Sequence, residues 1–388
     1  MRKWPIPDPL DEAALILSYR QGSWGRTKGG WVEQFEAEFS TYHQAKYAVA
    51  VTSATAGLTL SYLAVAKGKG GKFVVPSYTF IATATAGVVL GQVPIFIDID
   101  PETLDMKPEA LAEVLEGDKE GEIGFVVPVH FAGNPAEMDR IKSLAQRHGA
   151  RVVEDAAQAH GSTYRGRKVG AIGDVGVFSF QTSKMMTAGE GGIVITDDRE
   201  IYERVWSYHN AGRDFNKPWY EHVRIGWNYR MTEFQASVLI QQLRRLDLIL
   251  EGLRRNAKVL YDELEDVKEV HLHRYPGHIG TNFYFLPMTI SEELERRGGK
   301  AKLASLAAEK GVSLAEGYPK PLYRQEAFRD PLWKLPWDEY SKLNLKDAEV
   351  ACRRTMWIPH YEFMGREEDA LRVAKGIREA VREMRGEG

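Results

Sequence analysis

The chain has 388 residues, 44% of them hydrophobic, with a formal net charge of −3. That supports a large domain plus a smaller one, and the near-balanced charge gives no basis for a nucleic-acid or membrane-surface partner. The single cysteine, Cys352, excludes an internal disulfide framework and suits a reducing cytosol.

In chain order, Met1-Arg2-Lys3-Trp4-Pro5 has the charge of a signal peptide without its apolar core. No apolar run approaches the roughly 20 residues that span a bilayer, so a soluble, cytoplasmic protein is expected. Seven strand candidates follow: Tyr47–Ser53, Phe73–Pro76, Pro94–Asp98, Gly124–Val129, Arg151–Glu154, Val175–Phe180 and Gly192–Thr196. Most are β-branched runs without polar alternation, the pattern of strands covered on both faces. Helices fit between the early ones. One is predicted to start with Asn134 as N-cap and Pro135 at its first position, to carry Met138, Ile141 and Leu144 on one stripe, and to stop at Gly149.

Such alternation predicts a parallel sheet with right-handed crossovers. Between Phe180 and Gly192 there is little room for a crossover helix, so that pair is expected to run antiparallel. The expected fold class is α/β: a mixed, mostly parallel seven-stranded sheet with helices on both faces, plus a smaller C-terminal α+β domain. Thr232-Glu233-Phe234-Gln235 reads as a capping box opening a helix to about Asp266. That helix is expected to lead from a large domain, residues 1–250, into a small one, residues 251–388. A strand-like Asn282–Met288 and a proline-rich segment from Tyr318 to Trp337 come next. A final amphipathic helix has Ala370, Ala374, Ile377, Val381 and Met384 on one face.

Four segments carry chemistry. Val177-Phe178-Ser179-Phe180-Gln181-Thr182-Ser183-Lys184 precedes a glycine cluster at Gly189-Glu190-Gly191-Gly192 and places an amine just after a buried strand. Such a lysine can attack an aldehyde to form a Schiff base, and Ser179 can donate to a phosphate. Taken alone, Lys184 reads more simply as a surface-loop lysine beside a glycine turn. In Val153-Glu154-Asp155-Ala156-Ala157-Gln158-Ala159-His160-Gly161, Asp155 stands at the carboxyl end of a strand, where open α/β sheets bind ligands. Its carboxylate can pair with a pyridinium nitrogen, and Gln158 can bond a ring hydroxyl. The plainer alternative for Asp155 is a helix N-cap. His160 reads as packing behind the site.

Ser53-Ala54-Thr55-Ala56-Gly57 opens a helix after a strand, so the Ala54 and Thr55 amides can hold an anion. A plain N-cap is the alternative there. In Pro76-Ser77-Tyr78-Thr79-Phe80 the aromatic Phe80 can stack on a flat ring or join the core. Phosphate turn, stacking aromatic, ring carboxylate and lysine are the four parts of a pyridoxal-5′-phosphate (PLP) site. No metal site is predicted.

These segments resemble the DegT-type sugar aminotransferase family, within the fold-type-I PLP enzymes. The resemblance runs over nearly the whole chain, from Gly30-Trp31-Val32-Glu33-Gln34-Phe35-Glu36 through the Asp155 and Lys184 segments to Gly226-Trp227-Asn228-Tyr229-Arg230-Met231. It implies an aminotransferase with Lys184 as Schiff-base lysine and Asp155 as the other catalytic group. Ala54, Thr55, Phe80, Asp155, Gln158, Ser179 and Lys184 would bind the cofactor. It also implies a homodimer in which Asn228 reaches the PLP phosphate of the neighbouring subunit. Glutamate or glutamine would be the donor, and a keto-sugar nucleotide or ketocyclitol the acceptor. The turn has Ala54 where the family commonly has glycine, a mild change for a backbone donor. A dehydratase-like branch, with histidine at the lysine position, is disfavoured by Lys184, and a non-catalytic PLP-binding regulator is the remaining alternative. By analogy of segment, Trp24, Arg26, His209, Tyr318 and Lys320 are candidates to face the acceptor, and for each of them a surface or packing role is the plainer reading.

Overall fold

The computed structural model describes residues 4–66 and 71–386, so Met1–Lys3 of the N-terminal segment lie outside the described residues. All seven expected strands form: β1 (Tyr47–Val51), β2 (Lys72–Pro76), β3 (Val93–Ile97), β4 (Ile123–Val126), β5 (Arg151–Asp155), β6 (Val175–Ser179) and β7 (Gly192–Thr196). They pair in one sheet in the order β1-β7-β6-β5-β4-β2-β3. Only β7 runs against its neighbours β1 and β6, as the short Phe180–Gly192 connection requires. The other six therefore point the same way, and their carboxyl ends form a common edge.

Alternation within each strand feeds two cores. Ala50, Val74 and Val152 face one apolar cluster with the helices Trp31–Tyr42, Met138–Arg147 and Glu233–Glu263. Val51, Val75 and Val153 face another with the helices Ala54–Val65, Ala82–Val88 and Arg199–His209. Both faces are dry, which is why the strands carry apolar residues without polar alternation.

Two expected boundaries move. Asn134 does not cap a helix: its side-chain amide donates to Asp105, a buried carboxylate that also accepts from the Phe131 amide at 3.1 Å. Satisfying that carboxylate takes the side chain away from the cap position, so the helix begins at Met138 and its Ile141–Leu144 stripe is buried as expected. The strand-like Asn282–Met288 becomes β9 (Phe285–Ile290), because Asn282 and Phe283 turn the chain into it, Phe283 with φ of 54°.

β9 is the centre of a second, antiparallel sheet between β8 (Val270–Leu272) and β10 (Thr355–Pro359). The final helix, Glu367–Arg385, buries Ala370, Ala374, Ile377, Val381 and Met384 against this lobe. The long helix Glu233–Glu263 opens with the Thr232 amide donating to Gln235 Oε1 at 3.0 Å. A cut at residue 250 falls inside this helix, and one apolar core runs from Phe35 through Leu239 and Leu253 to Ile358.

The lobes are tied polar-to-polar as well. Asp98, just past β3, accepts from the Asp347 and Ala348 amides at 3.1 and 2.9 Å and so caps the helix Lys346–Arg354 of the small lobe. Loss of such a cap costs about 1 kcal/mol, so Asp98→Ala should unfold in urea with a midpoint lowered accordingly and the slope unchanged.

Candidate active site

The common edge of the parallel strands opens into a cleft of about 590 Å³ whose opposite wall comes from the small lobe. Seven of the eight cofactor residues expected from sequence line it: Ala54, Thr55, Phe80, Asp155, Gln158, Ser179 and Lys184. Asn228 does not. It is exposed, beyond the cleft of its own chain, bridged to Asn210.

Asp155 ends β5 and is only 5% exposed. Its Oδ2 accepts from Thr83 Oγ1 at 2.8 Å and its Oδ1 from the Ala157 amide at 3.1 Å. No helix follows it, so the N-cap alternative falls away. Burial pushes its pKa up, and the Thr83 hydroxyl, the Ala157 amide and the Lys184 charge oppose that push. A carboxyl in this state gains from a cation placed against it. Gln158 is fixed through Oε1, which accepts from the Ala132 amide at 2.7 Å.

One residue earlier, Glu154 points the other way, into the protein. It is fully buried and accepts from the Gly170, Ile172 and Gly173 amides at 2.6–2.7 Å, with His130 Nε2 at 2.9 Å. Burial alone would raise its pKa, but His130 and the amides outweigh it, and the net direction is down. This pinned neighbour sets the strand end that presents Asp155.

The anion turn is built from backbone. Ser53 caps the helix Ala54–Val65: its Oγ accepts from the Ala56 amide at 3.1 Å and its carbonyl from Gly57 at 3.0 Å. That leaves the Ala54 and Thr55 amides at a helix N-terminus for an anion. Gly192, where β7 starts, pairs with both Val51 and Ser179, and a Cβ there would stand 2.6 Å from the Ala54 nitrogen. Glycine is what lets the antiparallel strand pass under the turn. Ser179, at the end of β6, completes this corner.

Lys184 is half-buried, its amide donating to the Gln181 carbonyl at 2.8 Å and its Nζ lying 4.7 Å from the Tyr284 ring centroid. Tyr284 is held in turn by Ser183, Oγ to phenol oxygen 2.8 Å. Phe80 is 60% exposed at the cleft, so it is not a core aromatic. His160 is buried between Phe178 and Phe180, with its pKa pushed down to about 3 by burial and the Lys184 charge, and it packs behind the site.

Of the residues considered for the acceptor, only Tyr318 lines the cleft. Arg26 is instead paired with the buried Glu36, whose carboxylate also accepts from the Ala50 amide at 2.6 Å. His209 is fully buried against Trp206, while Trp24 donates to the Tyr19 carbonyl at 3.0 Å and Lys320 is exposed. Sequence reasoning missed Thr83, Tyr284, Phe285 and Trp357. The aromatic and proline residues at alternate positions 285, 287, 357 and 359 were the available signal for one face of a sheet.

A family model for the DegT/DnrJ/EryC1/StrS aminotransferases matches residues 10–378. The chain belongs to this family. The enzyme is a PLP-dependent aminotransferase. L-glutamine:2-deoxy-scyllo-inosose aminotransferase from Streptomyces lividus is 32% identical to it over 409 residues, covering 98% of this chain and 95% of that protein. 3-Amino-5-hydroxybenzoate synthase from Amycolatopsis mediterranei is 39% identical over 246 residues, 63% of this chain and 62% of that protein. The crystal structure of a 3-amino-5-hydroxybenzoic acid synthase superposes with a TM-score of 0.89 at 30% identity, over 98% of each chain. Among the described residues no helix is long and apolar enough to cross a membrane.

The residues present fit PLP. A buried carboxyl that gains from a cation, two free amides at a helix start, an exposed aromatic face and an amine share one cleft.

The Glu154 network carries a stability prediction. Because its folded pKa lies below the ordinary 4.5, its contribution is complete above that pH and is lost as pH falls through the lower folded value. Glu154→Gln should cost on the order of 3 kcal/mol at pH 7, as for one broken partner of a buried pair, and the gap to wild type should shrink in acid. Urea unfolding at pH 7 and at pH 4 reads both.

Proposed function

We propose that this enzyme moves an amino group from glutamate or glutamine to the ketone of a cyclitol or a sugar nucleotide, at a site shared between the subunits of a homodimer. The observation that carries the reading is the convergence of Lys184, Asp155, Phe80 and the Ala54–Thr55 turn on one cleft, in a chain whose relatives include the glutamine:scyllo-inosose aminotransferase.

When bound, PLP supplies an aldehyde that exchanges amines and a ring that takes up electron density from the substrate carbon. Lys184 is the residue assigned to carry it, and its freed Nζ takes and returns the proton at the reacting carbon. Asp155 keeps the ring nitrogen protonated, the cationic partner that its burial calls for. Phe80 would stack on the ring and Gln158 would bond its hydroxyl. The Ala54 and Thr55 amides, the Thr55 hydroxyl and Ser179 hold the phosphate.

Asn228 is assigned to the phosphate of the partner's cofactor. Its place on an outward segment supports this, since the same segment exposes Tyr220 and Ile225 by 85% and 86%, apolar area that a second subunit would cover. The large cofactor lobe, residues 1–250, and the small lobe, residues 251–388, are the working parts of each subunit, and the reaction is assigned to the cytoplasm.

Borohydride treatment of the PLP-loaded protein should fix the cofactor on the peptide containing Lys184, as read by peptide mass, and Lys184→Ala should abolish the fixation. Fixation at another residue would remove Lys184 from its role. The shared site has its own check. Lys184→Ala and Asn228→Ala should each be inactive, yet mixed subunits should regain activity in up to about a quarter of the sites, because half the dimers carry one intact site. Failure to recover activity, with subunit exchange demonstrated, would place Asn228 outside the partner's site.

A further inference from the structure

Lys184 sits in a partly exposed turn, and what holds that turn decides where its amine points. Thr182 and Ser183 are exposed, and the Lys184 amide closes the turn on the Gln181 carbonyl. Side chains from opposite ends of the chain reach it. Tyr284 of the small lobe bonds Ser183. From the N-terminal segment, Trp4 Nε1 donates to the Thr182 carbonyl at 2.9 Å.

Trp4 also touches a second support. Its ring meets His360 edge-on, with 4.5 Å between centroids and 85° between planes. His360 is buried on the cleft wall, and its Nδ1 lies 3.2 Å from the Tyr284 carbonyl. A carbonyl only accepts, so Nδ1 is the protonated nitrogen and Tyr284 orients the imidazole. The indole therefore bears on the lysine twice. It acts directly at Thr182, and through His360 on the residue whose ring lies beside the Lys184 amine.

The indole is itself well placed. Pro5 and Pro7 each fix one φ of the short segment that follows Trp4, so less freedom is lost when it docks. Asp8 then caps the helix Pro9–Arg20, accepting from the Leu10 amide at 2.8 Å. Asp11 pins that helix to the long helix Glu233–Glu263 by accepting from Arg245 at 2.7 and 2.6 Å. One turn earlier on the long helix, Gln242 accepts from the Thr187 amide and donates to the Thr187 carbonyl, both at 2.8 Å. Its side-chain amide also reaches Asp11 at 3.3 Å. The N-terminal helix and the far end of the lysine loop are thus fixed to one stretch of one helix. Pro5, Ile6 and Pro7 line a single groove with Thr187, Ala188 and Gly189.

Position matters at Lys184 because one amine must carry the cofactor and then reach the proton on the reacting carbon. Misplacing a reacting group by about 1 Å costs on the order of a hundredfold in rate. We propose that Trp4 is a positioning residue for Lys184, clamping the lysine turn through the Thr182 carbonyl and through His360. This rests on the role given to Lys184 above and extends it, making the N-terminal segment part of the active site without contact to substrate.

Two variants test the clamp. Trp4→Phe keeps an aromatic edge and removes the N–H, and Trp4→Ala removes both. In the full chain without PLP, amide exchange over residues 181–189, read by peptide mass, should quicken about fivefold in Trp4→Ala, the population shift that one net hydrogen bond supports. Peptides from β5 and β9 should keep wild-type exchange. With PLP bound, the pH midpoint of the cofactor's visible absorbance should move by about half a unit. Single-turnover reaction with L-glutamine or L-glutamate should slow about fivefold at saturating donor, with the apparent Kd within about twofold. Trp4→Phe should show the larger part of each change. Exchange and absorbance both unchanged in Trp4→Ala would overturn the clamp. Equal quickening of exchange across the core would overturn it too, by giving Trp4 a general structural role. Wild-type behaviour of Trp4→Phe would overturn the Thr182 bond as its basis. Borohydride fixation at a residue other than Lys184 would instead strike the function on which the inference rests, and the exchange measurement would still decide whether Trp4 holds the turn.

Discussion

Asp155 is a carboxylate removed from water at the edge of a parallel sheet, and much of the site is arranged around the cost of that burial. One hydroxyl from Thr83 and one amide from Ala157 offset part of it, and the remainder favours a cation in the cleft. The position is rigid because Glu154, the preceding residue, is pinned on the opposite side by three amides and His130. Alternation along a strand thus gives two adjacent acids opposite tasks. One anchors the strand from within, and the other faces the cleft.

The sheet direction does the rest of the assembly. Six strands ending at one edge bring together residues from 54, 80, 155 and 179, far apart in the chain. The reversed strand β7 closes the edge between β1 and β6, and it fits beneath the anion turn only because its first residue has no side chain. The 31-residue helix then carries the chain across to the small lobe, where β9 and β10 return an aromatic face to the same cleft.

Much of this was legible before any coordinates. The seven strands were visible because burial on both faces leaves uninterrupted apolar runs, and the reversed pair because too few residues separate Phe180 from Gly192. Where the reading slipped, a buried polar group had a competing demand. Asn134 looked like a helix cap, but Asp105, distant in sequence, claimed its side chain. Arg26 and His209 stood as acceptor candidates against a plainer packing role, and Glu36 and the helix packing around Trp206 take them inward. Phe80 was ambiguous because an exposed and a buried aromatic look alike in a sequence.

The sequence by itself determined the strands, the order of the chemical groups and the family resemblance, since these depend on local periodicity and on motifs contiguous in the chain. Only the tertiary structure decided what lies opposite them. Thr83 beneath Asp155, Tyr284 beside Lys184 and the stacked Phe285 and Trp357 come from segments whose register and approach are set by long-range packing. Nothing local specifies which faces will meet across a cleft. That is settled when both cores exclude water together, and it is there that the aromatic wall opposite Asp155 is made.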